Sequence, residues 1–284
     1  MSTEINVFNI SYRVKDKTIL SDVSFSVEKG ETFALLGENG SGKSTLIDII
    51  LGDISSNTGS VLFFEKSQRC FNKVGVVYDH LPLFPLLRVN EIIKYFAVIH
   101  KLSFESIRSK YYSTFEIEKI NNSFLKELSQ GEKKRVGLLL SIIHNPNLLI
   151  LDEPFANLDP TIIDRIWKAI KEENRTVFFT THNWKEVEHL ASKICFIFNG
   201  RIIGKPLHPA EILDNLPATK KITITASSEI LTSIRDYAYY RHNGDINVFF
   251  NENTDLLSIV NRHTNNFSVQ DVDLKDAYLY YINK

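Results

Sequence analysis

The sequence predicts an α/β fold: a mostly parallel sheet with an antiparallel β subdomain, a helical insertion and a small C-terminal α+β extension. Three observations predict it. Short apolar runs and helix-patterned segments follow one another as strand, helix, strand, which requires a parallel sheet with crossover helices. One apolar run leads through a glycine-rich loop straight into a helix, and another ends in two adjacent carboxylates.

Residues 5–12 and 20–27 alternate polar and apolar and read as strands. Glu28-Lys29-Gly30 is a turn, and 32–36 is a short apolar run, hence a buried strand. Residues 44–51 place Leu46, Ile47, Ile49 and Ile50 inside one helix that stops at Gly52. From about 80 to 145 the pattern turns helical, with helices at 90–102, 107–115 and 130–143. The alternation then returns: 148–151 is a buried strand, 161–173 an amphipathic helix and 177–180 a strand. Segments 194–198 and 201–203 flank Asn199-Gly200, a two-residue hairpin signal. Beyond Pro209, 221–225 and 246–250 read as strands and about 228–240, 254–263 and 273–282 as helices. Residues 1–215 are therefore expected to form one domain, with its helical part at about 80–145, and 216–284 a small accessory domain.

Composition narrows the function classes. With 284 residues, 43% of them hydrophobic, the chain can build a large core. Its 33 basic and 34 acidic residues leave a formal charge of −1, so no long-range field draws in nucleic acid or an anionic membrane, and no nucleic-acid partner is expected. Cys70 and Cys195 lie far apart and form no CxxC pair; two small core residues in a reducing cytosol are expected, not a zinc or redox centre. The N-terminus lacks the basic and apolar regions of a signal peptide, and no apolar run approaches the roughly 20 residues that span a bilayer. If the protein serves a membrane, another chain must cross it.

The loop Gly37-Glu38-Asn39-Gly40-Ser41-Gly42-Lys43-Ser44-Thr45 fits G-x-x-x-x-G-K-[ST], in the strand–loop–helix setting the pattern needs. Its three glycines let the backbone curl so that successive N–H groups point at phosphate oxygens, and the helix N-terminus adds its positive end. Lys43 can reach the β- and γ-phosphates of ATP, and the Ser44 hydroxyl can ligate Mg²⁺. These features make the fold P-loop NTPase-like. In Leu148-Leu149-Ile150-Leu151-Asp152-Glu153-Pro154 the carboxylates stand at the C-terminal end of a parallel strand, where open α/β sheets bind ligands. Asp152 would hold Mg²⁺ through a water, and Glu153 would polarise an attacking water. A solvated turn ending at Pro154 is the competing reading, weakened by the glycine loop a hundred residues earlier.

With Leu128-Ser129-Gln130-Gly131-Glu132-Lys133-Lys134-Arg135 the sequence resembles the nucleotide-binding subunits of ATP-binding-cassette (ABC) transporters. The segment looks like the family signature Leu-Ser-Gly-Gly-Gln, departing from it at Gln130 and Glu132 but keeping Ser129 and Gly131. Ser129-x-x-Glu132 is equally a capping box that starts a helix, and both readings can hold. The resemblance implies that Ser129 and Gly131 face the γ-phosphate bound by a partner subunit. It further implies that Tyr12 stacks on adenine, that Asn157 and Asp159 lie in a dimer-contact loop, and that His182 contacts the γ-phosphate. In Val74-Gly75-Val76-Val77-Tyr78-Asp79-His80, Asp79 stands where the family carries a glutamine; it can still accept a hydrogen bond or bind a hydrated metal, but is shorter and charged.

The resemblance spans roughly residues 3–215 and implies an ATPase that works as a homodimer or with a paired ABC ATPase subunit. It implies docking on an integral membrane permease through the helical region, at the cytoplasmic face of the membrane. His80-Leu81-Pro82-Leu83-Phe84-Pro85-Leu86-Leu87 is apolar enough to join that contact or to be a buried loop. The closing segment Val272-Asp273-Leu274-Lys275-Asp276-Ala277-Tyr278-Leu279 resembles that of exporter-type subunits with separate permeases. Two rival readings are an ABC-type ATPase acting on ribosomes or DNA, and a regulator that binds ATP but barely hydrolyses it.

Overall fold

The structure, a computed structural model, describes residues 2–64, 71–79, 84–225, 228–251, 255–264 and 266–284, without the side chains of 71, 228 and 229. Cys70 and the stretch 80–83, both given expectations above, lie outside the described residues. The chain begins with an antiparallel hairpin, β1 (Thr3–Val14) and β2 (Lys17–Glu28), then runs through β3 (Thr32–Leu36) into helix α1 (Lys43–Leu51). Strand β4 (Thr58–Phe63) returns to the other edge of β1. β5 (Val74–Val77) leads to the helices α2 (Val89–Ile99), α3 (Phe104–Phe115) and α4 (Gln130–Ile142). The order then alternates: β6 (Leu148–Asp152), α5 (Pro160–Lys171), β7 (Thr176–Thr181), α6 (Trp184–Leu190), β8 (Lys193–Phe198) and β9 (Arg201–Leu207).

Among the described residues, β5, β6, β7, β3, β8 and β9 lie in that order in one sheet, parallel except for β9. Its strands carry apolar residues at consecutive positions because both faces are covered, and alternate side chains serve opposite cores. Phe33, Leu35, Leu148, Ile150 and Phe178 pack with α1 and the β1, β2 and β4 sheet. Ala34, Leu36, Leu149, Leu151, Val177 and Phe179 pack with the helices on the other face. The expected mixed α/β fold, with its parallel and antiparallel sheets, is present. Cys195 sits inside the first core as a small apolar residue, its thiol pushed up to about 12 by burial.

The chain continues through α7 (Pro209–Asp214), β10 (Lys220–Thr225), α8 (Ser228–Ser233), β11 (Tyr239–His242), β12 (Asp245–Phe250), α9 (Leu256–His263), β13 (Phe267–Asp271) and α10 (Leu274–Ile282). β11, β12, β10 and β13 form an antiparallel sheet with its own small core around Ile222, Ile246 and Leu256. Helix α10 packs elsewhere. Its Leu274, Ala277, Tyr278 and Leu279 belong to the large core, and the Tyr278 ring lies 4.9 Å from Trp184, 5.8 Å from Phe196 and 6.2 Å from Phe198.

Several sequence expectations need correction. The helix expected over 228–240 stops at Ser233, and Tyr239–His242 is a strand instead. The reason is a tight turn at Asn243-Gly244, both with positive φ, which folds β11 back on β12. That is the same Asn-Gly signal read correctly at 199–200. Strands β4, β5 and β13, and helices α6 and α7, are absent from the sequence expectations; β13 is mostly exposed and offers little apolar pattern to read.

Asp276 fastens α10 to the C-terminal sheet. It is 1% exposed and accepts from Lys221 Nζ and the Tyr240 hydroxyl, while its second oxygen caps the Asp273 N–H at 2.8 Å. Burial, then the bond to Asp276, pushes the Tyr240 phenol above its usual range. Asp276→Ala leaves a nearly buried ammonium and a phenol without their acceptor, and should lower stability by about 3 kcal/mol in denaturant unfolding.

Candidate functional site

Parallel register brings the candidate residues to one edge of the central sheet. β3 pairs with β7 so that Leu36 stands opposite Thr181, and β6 pairs with β7 so that Asp152 stands opposite Thr180. The chain therefore leaves three neighbouring strands side by side, into the loop of Gly37, into Glu153 and into His182. β5 aligns Val77 with Leu151, which sets Tyr78 and Asp79 beside the same edge.

The loop 37–42 has no room for larger residues at its first turn: a Cβ on Gly37 would lie 2.4 Å from the Ile197 carbonyl. Gly42, at φ 108, caps α1 without a side chain, so the helix N-terminus keeps its N–H groups available to a ligand. The Ser41 hydroxyl is buried and has no hydrogen-bond partner among the described residues. Lys43 is buried and curls under the loop, donating to the carbonyls of Gly37 at 2.8 Å and Glu38 at 3.2 Å. Its Nζ also lies 3.4 Å from Glu153 Oε1. Ser44 is exposed at the first turn of α1, and Thr45 is half-buried behind it. Asn39 and Gly40 form the exposed crest of the loop.

Asp152, 3% exposed, accepts from the Thr180 hydroxyl. That hydroxyl in turn accepts from the Glu153 backbone N–H at 3.2 Å. Thr180 therefore fixes both carboxylate residues, a role the sequence reading missed; its only signal was a polar residue in the apolar strand before His182. Glu153 takes a left-handed backbone (φ 46), rare for a residue with a Cβ, which turns its side chain back over the strand ends. Its Oε2 lies 2.9 Å from His182 Nδ1, so Lys43, Glu153 and His182 form one connected group. The donor set around it suits Mg²⁺: hydroxyl and carboxylate oxygens from Ser44 and Asp152, too few to hold a metal alone and completed in such sites by phosphate.

Tyr12 is half-buried on β1 opposite Leu20 of β2, and Leu20 packs at Gly42, so the tyrosine stands beside the glycine loop. Ser129 is exposed and caps α4: its Oγ accepts from the Glu132 N–H, and Glu132 accepts from the Ser129 N–H at 2.8 Å. Gly131 has a packing reason of its own, since a Cβ there would lie 2.5 Å from the Asn157 carbonyl. Asn157 itself has φ 63, and Asp159 stands at the N-cap of α5, before Pro160.

Asp79 meets a partner the sequence did not suggest. Lys134, 4% exposed on α4, lies 3.2 Å from Asp79 Oδ1 and donates to the carbonyls of Asp152 at 2.9 Å and Tyr78 at 3.3 Å. Burial pushes its amino group below the usual range, against Asp79, Asp152 and Glu153, which pull it up. A buried lysine on a helix that also carries Lys133 and Arg135 has no mark in sequence.

A family model described as ABC transporter matches residues 20–156. The chain is 35% identical over 204 residues to the lantibiotic transport ATP-binding protein SrtF of Streptococcus pyogenes, covering 70% of this chain and 89% of that protein. The chain belongs to the ABC transporter ATP-binding family. The Nod factor export ATP-binding protein I of Rhizobium etli is 31% identical over 234 residues, covering 78% of this ABC chain and 73% of its relative. Among solved structures, cbiO1 of Clostridium perfringens, described as part of the ABC transporter complex cbiONQ, superposes with a TM-score of 0.63 at 27% identity. That match covers 76% of this chain and 92% of cbiO1. An ATP-binding subunit of an ABC transporter at 24% identity shares the fold, with a TM-score of 0.65. Nucleotide binding is the shared property of this family.

Two expectations follow for the ABC chain. Gly131→Ala forces a methyl group against the Asn157 carbonyl and should destabilise by about 2 kcal/mol, read as a lower denaturant midpoint. The cap on α4 is sensitive to acid. The Ser129 backbone N–H, and then its hydroxyl, hold the Glu132 carboxyl below its usual range against the opposing effect of partial burial. A depressed folded pKa stabilises above the ordinary carboxylate range, and the contribution is lost as pH falls through the folded value. The stability difference between the parent and Glu132→Gln should therefore shrink from about pH 7 to about pH 3 in urea unfolding.

Proposed function

We propose that this chain hydrolyses MgATP as the motor subunit of a membrane transporter, acting in pairs. The observation that supports it most is the connected Lys43–Glu153–His182 group at the mouth of the glycine loop, with distances of 3.4 Å and 2.9 Å. Residues 37–45 would wrap the phosphates with backbone N–H groups. Lys43, held by loop carbonyls and Glu153, would turn its ammonium towards the β- and γ-phosphate oxygens and bind them non-covalently. Glu153 would then be free to orient the attacking water as general base, and His182 to stabilise the charge developing on the γ-phosphate. Tyr12 would stack on adenine. Ser44 and Asp152 would hold Mg²⁺, which would neutralise phosphate charge.

A second copy would complete this site with its own Ser129–Gly131 tip. In a head-to-tail pair, that exposed helix N-terminus would face the γ-phosphate on the other copy, and Asn157 and Asp159 would line the contact. Nucleotide then fills the joint, so binding closes the pair and hydrolysis opens it.

The membrane partner is proposed from surface chemistry. Phe84, Pro85, Leu86, Leu87 and Tyr95 line an apolar depression beside α2, with Phe84 58%, Leu86 71% and Tyr95 51% exposed. Such a patch fits a permease contact. Among the described residues no helix is long and apolar enough to cross a membrane. We place the chain at the cytoplasmic face, held there by a separate permease. The closing segment 272–279 and the export function in the name of the Rhizobium etli relative favour outward transport.

Glu153→Gln should retain ATP binding, accumulate as an ATP-bound dimer in size-exclusion chromatography, and lose phosphate release by about 100-fold or more. Parental turnover by that variant would remove Glu153 from the mechanism.

A further inference from the structure

We propose that Lys134 is a positioning residue whose ion pair with Asp79 cancels a negative charge beside the nucleotide site. The inference rests on reading this edge of the sheet as that site. Asp79 brings a carboxylate to the loop after β5. It arrives next to Asp152 and near Glu153, at a place that would receive a triphosphate. Such a charge should repel the ligand. The structure pairs it with a buried cation: Lys134 is 4% exposed, and its Nζ lies 3.2 Å from Asp79 Oδ1. An ammonium in that setting is costly unless a counter-charge compensates it.

Two further bonds fix where the compensation acts. Lys134 Nζ donates to the Asp152 carbonyl at 2.9 Å and to the Tyr78 carbonyl at 3.3 Å. One amino group thereby joins three elements: the loop after β5, the end of β6 with its two carboxylates, and the α4 helix that Ser129 caps. The pair is placed to set local charge and to hold those elements in register. Asp79 is then a member of an ion pair and not a direct ligand of Mg²⁺. The two positions should behave as a unit, with either change alone unbalancing the site and both together restoring it.

The test is the affinity of the full chain for trinitrophenyl-ATP with Mg²⁺, read by fluorescence, which does not require turnover. Lys134→Met should weaken binding by about tenfold, the scale of one uncompensated charge at short range in a partly buried site. Lys134→Arg should retain most of the affinity. Asp79→Gln in the Lys134→Met background should recover most of the loss, where independent sites would multiply their effects. If Lys134→Met fails to fold in thermal unfolding, Asp79→Gln alone carries the test. Freed from its partner, Lys134 should then tighten binding, whereas loss of a metal ligand would weaken it. Unchanged affinity in a folded Lys134→Met, no recovery in the double variant, or weaker binding by Asp79→Gln overturns the inference. A parent chain that binds no nucleotide overturns the site reading beneath it as well.

Discussion

Everything at the candidate site depends on the register of three parallel strands. β3, β6 and β7 end level with one another, so the glycine loop, the Asp152–Glu153 pair and His182 emerge at a single edge although they lie far apart in sequence. Parallel sheets occur almost only where both faces are covered, and here α1 with the N-terminal antiparallel sheet covers one face and the other helices cover the second. A slip of one residue in β6 would exchange the two sets of core side chains and carry Asp152 away from Thr180. The chemistry and the packing are therefore fixed by the same hydrogen bonds.

How much of this was legible in sequence varies with the range of the interaction. The glycine loop, the strand ending in carboxylates and the cap at Ser129 are local patterns, and each appears where its residues pointed. The hairpin at Asn199-Gly200 is equally local, and the same dipeptide at 243–244 marks the turn from β11 into β12. Long-range facts left little trace. Nothing near Lys134 announces that its amino group reaches two carbonyls and Asp79, since burial of a lysine is decided by elements brought together only in the fold. Thr180 is similar: its hydroxyl matters because β6 lies beside it.

Gly131 shows how one residue can satisfy two demands. The family resemblance assigns it to a phosphate-facing helix tip, yet within a single chain it is also the point where α4 meets the Asn157 carbonyl too closely for any side chain. The left-handed backbone of Asn157 brings that carbonyl inward. A glycine here cannot be read as functional from its identity alone, because packing would select it in any case. Ser129 likewise serves the helix it begins before it serves any ligand.

The position of α10 has a bearing on biosynthesis. Chains emerge from the ribosome N-terminus first, and early segments commonly fold before late ones are made. Here Tyr278 closes an aromatic cluster formed by Trp184, two residues beyond His182, with Phe196 and Phe198. Until it has been translated, those rings lack the cover that Tyr278 gives them.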